Sequence, residues 1–126
     1  MSSQKQSKAV KRYLLKILSH NLPEIKNVSD WAFKAGYSRS WLSRKIKKCT
    51  GKTANCILKE YRFRRLVREI YRNPLATSCC IADKIAPWDE RRLYNFLNHY
   101  YDTNFSILRL RVITNFTDNV KKTHIV

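Results

Sequence analysis

Residues 28–53 read VSDWAFKAGYSRSWLSRKIKKCTGKT, and the order of small, apolar and cationic residues there decides the fold. Asn27 stands before this stretch as a helix cap, with Asp30 three residues on, near the positive helix end. Val28, Trp31, Ala32 and Ala35 then recur at the spacing of one helix face. Gly36 follows the last of them, where a left-handed turn is open to glycine without steric cost. Ser38 caps a second helix with Leu42, Ile46 and Cys49 on its apolar face, and Gly51 ends it. The small Ala32 lets the second helix cross the first closely, and Leu42 pins it there. The stretch is therefore expected to form helix, short turn, helix.

Upstream, residues 1–7 read as a loose basic arm. Val10, Tyr13, Leu14, Ile17 and Leu18 mark a helix over residues 8–20, followed by a loop around Pro23. Downstream, Thr53 opens a longer helix. Ile57, Leu58, Tyr61, Phe63, Leu66, Val67 and Ile70 are its core candidates, and Asn73-Pro74 stops it. Ser78, Ile81, Ala82 and Ile85 mark the next helix. Asp89 caps another, with Leu93, Phe96, Leu97 and Tyr100 inward. A short last helix is expected around residues 106–109, and a weakly periodic tail beyond Val112.

This plan repeats itself. Ala32, Gly36, Leu42, Ile46 and Gly51 correspond to Ala82, Ala86, Leu93, Leu97 and Asp102, with one extra residue in the second turn. The expected fold is all-α, about seven helices in two helix-turn-helix units joined by a long linker helix. The expected segments are a flexible basic arm (1–7), a first subdomain (8–52), a linker helix (53–73), a second subdomain (74–111) and a C-terminal tail (112–126).

Composition narrows what such a chain can do. Its 126 residues hold 26 Lys plus Arg against 9 Asp plus Glu, a formal charge of +17. Self-repulsion at that charge calls for an anionic partner. An apolar fraction of 44% is too rich for a disordered basic tail. Two glycines and three prolines are too few for the turns of a sandwich or barrel. No apolar run is long enough to span a membrane, and no signal peptide is read. Cys49, Cys56, Cys79 and Cys80, with scattered His20, His99 and His124, match no paired zinc-ligand spacing, and the thiols are expected to be buried and reduced. No Gly-rich phosphate loop, metal-ligand pair or nucleophile-base spacing supports an enzyme, so no catalytic residue, cofactor or metal is expected. The aromatics fall at core periodicity, which argues against an RNA-stacking platform.

The second helix of the first unit, from Arg39 to Lys48, presents Arg, Ser and Lys with no acid. A merely solvated face would mix both signs. Contact with double-stranded DNA is the expected role, with this helix in the major groove. On these residues the stretch 28–109 resembles the AraC/XylS-type DNA-binding domain. Ala32, Gly36, Ser38, Arg39, Leu42, Arg44, Lys47 and Gly51 carry the likeness. The second unit matches in spacing but departs in identity: Ala86-Pro87 stands at the usual Gly-Phe turn, Leu97-Asn98 at the usual Phe-Lys pair, Asp102 at the usual glycine and Phe105 at the usual proline. With the helix over residues 8–20, the resemblance covers about four fifths of the chain.

The resemblance implies two recognition helices on one face of DNA and control of transcription initiation, as in small stand-alone members of that family. By it, Ser40, Trp41, Ser43 and Arg44 are the base-facing positions of the first unit. Arg44 suits a bidentate contact to guanine, Ser40 and Ser43 suit base edges or phosphate, and Trp41 suits either a thymine methyl or a place across the helix junction. Arg39, Lys47 and Lys48 suit phosphate. Arg91, Tyr94 and Asn95 occupy the equivalent face of the second unit, where Asn95 suits adenine, and Arg92 suits phosphate.

The charge is lopsided. Through Asn73 there are 19 basic and 4 acidic residues, and from Pro74 onward 7 and 5. Phosphate neutralisation supplies most non-specific affinity, so the first unit is expected to carry most of the binding energy. A linker helix of 19 residues spans about 28 Å, against about 34 Å between successive major grooves, so bent DNA or a partly disengaged second unit is expected. The expectation is a sequence-specific transcription regulator, an activator, monomeric on DNA, in the cytoplasm at the bacterial nucleoid, with RNA polymerase as a candidate second partner. The alternative is an architectural or recombination-associated DNA binder of low specificity.

Overall fold

Helices begin in this chain where a side-chain oxygen can reach an orphaned amide. Asn27 Oδ1 accepts from the Asp30 N–H at 3.0 Å, and Asp30 Oδ2 accepts from the Lys26 N–H at 2.9 Å. Ser38 Oγ takes the Trp41 N–H, Thr77 Oγ1 that of Cys80, Asp89 Oδ1 that of Arg92, and Asn104 Oδ1 that of Ile107. Each satisfies one of the four free donors that a helix start leaves. The computed structural model describes residues 2–125, with side chains over residues 6–115. Among these the chain is all-α, with no strand. Its seven helices are α1 (Ser2–Asn21), α2 (Val28–Ala35), α3 (Arg39–Thr50), α4 (Ala54–Arg72), α5 (Ser78–Ile85), α6 (Glu90–Tyr101) and α7 (Phe105–Ile125). A 3-10 turn, Leu22–Glu24, separates α1 from α2.

The chain packs as two units, Met1–Phe63 and Arg64–Val126, which divide within α4. In the first unit Leu14 and Leu18 of α1, Trp31, Ala32 and Ala35 of α2, and Leu42 and Ile46 of α3 share one core with Ala54, Ile57 and Leu58 of α4. Gly36 and Gly51 end α2 and α3 at φ +85° and +76°, the left-handed region that a side chain rarely adopts. Tyr13 donates its hydroxyl to the Ala35 carbonyl at 2.9 Å, tying α1 to the end of α2. Arg62, almost fully buried, donates to the carbonyls of Ile25 (2.8 Å) and Lys26 (3.0 Å) just ahead of α2.

Lys34 binds Glu24 at 2.8 Å and holds that exposed carboxyl below its ordinary value, chiefly through the hydrogen bond and then through its charge. Because the folded-state pKa is the lower one, this contact stabilises at neutral pH. Its small contribution is lost as the pH falls through the range where Glu24 protonates. Lys34→Ala should erase that part of the acid dependence in a pH series of melting temperatures.

In the second unit Leu66 and Ile70 of α4, Ile81, Ala82 and Ile85 of α5, Leu93, Phe96 and Leu97 of α6, and Leu108 and Val112 of α7 are buried. Glu69, at 8% exposure, lies among Arg65 (3.3 Å), Lys84 (3.7 Å) and Arg72 (4.0 Å), joining α4 to α5. The turn from α5 to α6 is one residue longer than that from α2 to α3. The Trp88 N–H donates to the Ala86 carbonyl at 2.8 Å across Pro87, a three-residue turn that suits the fixed proline φ. Asp102 ends α6 at φ 48°, ψ 47°. The left-handed region costs a side chain about 1–2 kcal/mol, and glycine's extra freedom in the unfolded chain offsets part of any relief. Asp102→Gly should therefore raise stability by about 0.5–1 kcal/mol in chemical denaturation.

Several expectations need correction. α1 begins at Ser2, so residues 2–7 are its first turns and not a loose arm. The last helix is not confined to residues 106–109: α7 runs from Phe105 to Ile125, and buried Val112 anchors it past the expected tail boundary. Tyr100, expected inward, is 54% exposed, because the end of α6 carries its ring out to the edge of Phe96, 5.6 Å between centroids. The thiols are not buried either. Cys49 and Cys56 are half-buried, and Cys79 and Cys80 are exposed on the first turn of α5, off the face that Ile81, Ala82 and Ile85 turn inward.

Candidate nucleic-acid interface

α3 gives its residues to two opposed faces. Leu42 and Ile46 point into the core, which leaves Ser40, Arg44, Lys47 and Lys48 on the outward side and Ser43 at its margin. Arg39 stands exposed on the first turn. Four of the five cations of the helix, Arg39, Arg44, Lys47 and Lys48, are exposed with no acid among them, so its exposed side is strongly positive. Arg44 Nε donates to the Ser40 carbonyl at 3.4 Å, which lays the guanidinium along the helix. Lys47 Nζ donates to the Gly51 carbonyl at 3.0 Å and so caps the end of α3 in this structure.

Trp41 differs from these. Its ring stacks on Tyr37, 4.0 Å between centroids at 17°, and packs half-buried against the core. The ring therefore fills the junction between turn and helix, one of the two places that its sequence position suits. Tyr37 itself carried no sequence signal beyond lying in the turn.

In the second unit Arg91, Arg92, Tyr94 and Asn95 are all exposed on α6. The electrostatics are weaker there. Asp89 and Glu90 stand at the start of the same helix, and Ser78 donates to Glu90 at 2.6 Å. Tyr94 borders an open hollow of about 410 Å³ with Leu93, Phe105 and Ile107. The structure thus groups Arg39, Ser40, Ser43, Arg44, Lys47 and Lys48 on one helix of the first unit, and Arg91, Arg92, Tyr94 and Asn95 on one helix of the second.

Two residues support the site through contacts that the sequence does not signal, Tyr13 reading there only as part of the apolar stripe of α1. Arg62 fixes the loop before α2, and Tyr13 fixes the end of α2 from which the turn to α3 departs. Among the described residues no three His, Cys, Asp or Glu side chains converge as a metal site would require. Within the same residues no helix is long and apolar enough to cross a membrane. Comparison with protein-family models, with curated proteins and with solved structures returned no match.

Proposed function

We propose that this protein is a sequence-specific double-stranded DNA-binding transcription regulator that reads DNA with α3 and α6. The observation that carries the reading is the exposed side of α3: Arg39, Arg44, Lys47 and Lys48 without an acid, on a helix capped at both ends and joined by a tight turn to α2. Such a helix fits the major groove, where phosphate contacts set register and base edges set specificity. α6 in a neighbouring groove would make the protein a monomer with two reading heads. Activation, RNA polymerase as second partner, and residence at the nucleoid follow from the resemblance of residues 28–109 to AraC/XylS-type domains.

Selection of bound sequences from a random DNA pool, followed by a footprint, tests the reading. A defined motif supports it, and a pool that enriches nothing sinks it. Arg44→Ala should cost about 1–3 kcal/mol of affinity for the selected site and relax preference at one base pair. An equal loss on all sequences would make Arg44 a phosphate contact.

The acids at the start of α6 favour one second reading, an architectural binder whose affinity comes mainly from the first unit. The ratio of specific to non-specific affinity at physiological salt separates the two. Regulators reach about 10³ or more.

A further inference from the structure

α1 matches α3 in one respect that the recognition helix does not explain: it too carries five cations and no acid. Lys8, Lys11, Arg12 and Leu15 line an open hollow of about 350 Å³ along it. No carboxylate pairs with these three cations among the described residues. The three acids of the first unit are engaged elsewhere: Glu24 by Lys34 at 2.8 Å, Glu60 by Lys52 at 2.6 Å, and Asp30 by the Lys26 N–H at 2.9 Å. The hollow is also tied to α3. Lys45 of α3 donates to Ser7 of α1 at 3.4 Å, and Lys11 lies one helical turn past Ser7 on the same edge. Lys8 and Arg12 form the adjoining row, again one turn apart. A positive ridge therefore continues from α3 onto α1 within one packed unit.

We propose that Lys8, Lys11 and Arg12 form a second phosphate-binding site, which grips the duplex backbone flanking the groove that α3 enters. This rests on the duplex-binding reading above and adds to it a contact that carries no sequence information. The favoured ligand is nucleic-acid phosphate and not an anionic lipid surface, because most of the apolar stripe of α1 is turned to the core and only Tyr13 of it stands exposed, which is too little to enter a bilayer. Leu14 and Leu18 are buried, and Val10, Leu15 and Ile17 pack against the core.

The test is the salt dependence of binding to a short random-sequence duplex, measured for the full chain and for the triple variant Lys8→Gln, Lys11→Gln, Arg12→Gln. Three lost phosphate contacts should reduce the slope of log affinity against log salt by about 2–3, so that the two proteins diverge at about 50 mM salt and approach each other by about 200 mM. The charge-conserving variant Lys8→Arg, Lys11→Arg, Arg12→Lys should keep the wild-type slope. An unchanged slope in the glutamine variant overturns the site. So does a loss of binding to phosphatidylglycerol vesicles with duplex binding intact, which would assign the ridge to lipid. A loss of affinity reproduced by the charge-conserving variant also overturns it, since that would report altered folding. If the pool selection yields a motif and the slope ignores the substitutions, only this site fails. If the pool yields none while the slope falls as stated, the regulator reading fails and the phosphate site stands.

Discussion

Trp31→Ala is expected to lower the stability of the Met1–Phe63 unit by about 3–5 kcal/mol, the range for emptying a buried Trp site. Trp31 has no exposed surface and sits in the core shared by α1, α2 and α3. Its indole N–H donates to the Leu14 carbonyl at 2.9 Å. The lost hydrogen bond is the smaller part, because a net bond of this kind is worth about 1 kcal/mol, and the cavity supplies the rest. A domain of this size holds only about 0.05–0.15 kcal/mol per residue, so the loss is comparable with the whole stability of the unit. Amide exchange in α2 and α3 should accelerate to near the unfolded rate, and duplex binding should fall with it. Trp31→Phe keeps most of the volume and should cost about 1–2 kcal/mol. Equal costs for the two variants would show that the hydrogen bond dominates and that the packing account is wrong.

Arg62→Met is expected to cost about 2–4 kcal/mol, with charge-assisted hydrogen bonds as the source. Replacement of a buried ion pair by apolar side chains is often neutral, because both charges leave together. Here two of the partners are the backbone carbonyls of Ile25 and Lys26, which no substitution removes. Met fills the space and leaves both acceptors without their donor. Arg62→Lys keeps the charge but loses the planar fork, and should recover about half of the loss. Urea denaturation of the three proteins checks the order. A Met variant as stable as wild type would mean that water replaces the guanidinium at both carbonyls. Since the loop that Arg62 holds leads straight into α2, the Met variant should also weaken duplex binding at temperatures where the chain remains folded.

Local chemistry made much of the fold legible. Asn27, Ser38 and Asp89 are caps because their short side chains can reach an amide three residues on, a property of the residue and its neighbours alone. Gly36 and Gly51 mark helix ends for an equally local reason. The periodic faces of α2, α3, α5 and α6 were legible because one packed face leaves a 3.6-residue signature. The exposed cations of α3 follow from the same period. Cys79 and Cys80 lie off the apolar stripe of α5, and their position leaves them exposed despite the hydrophobic character of a thiol. α7 runs through most of the segment expected as a tail, where the sequence repeats too weakly for periodicity to signal a helix to Ile125.

By itself the sequence determined an all-α chain, the places where α2 to α6 start and stop, the duplicated helix-turn-helix plan and the concentration of charge before Asn73. These rest on contacts within a few residues. Only the tertiary structure decided the roles of Arg62 and Glu69, two charged residues that fall in step with the apolar face of α4 and read as breaks in it. Their partners lie up to 37 residues away, and no local period encodes a contact across that distance. The tertiary structure likewise stacked Trp41 on Tyr37, and it joined the cations of α1 to those of α3 through Ser7 and Lys45, 38 residues apart. Such adjacency is a product of packing, which selects among the arrangements that local rules leave open.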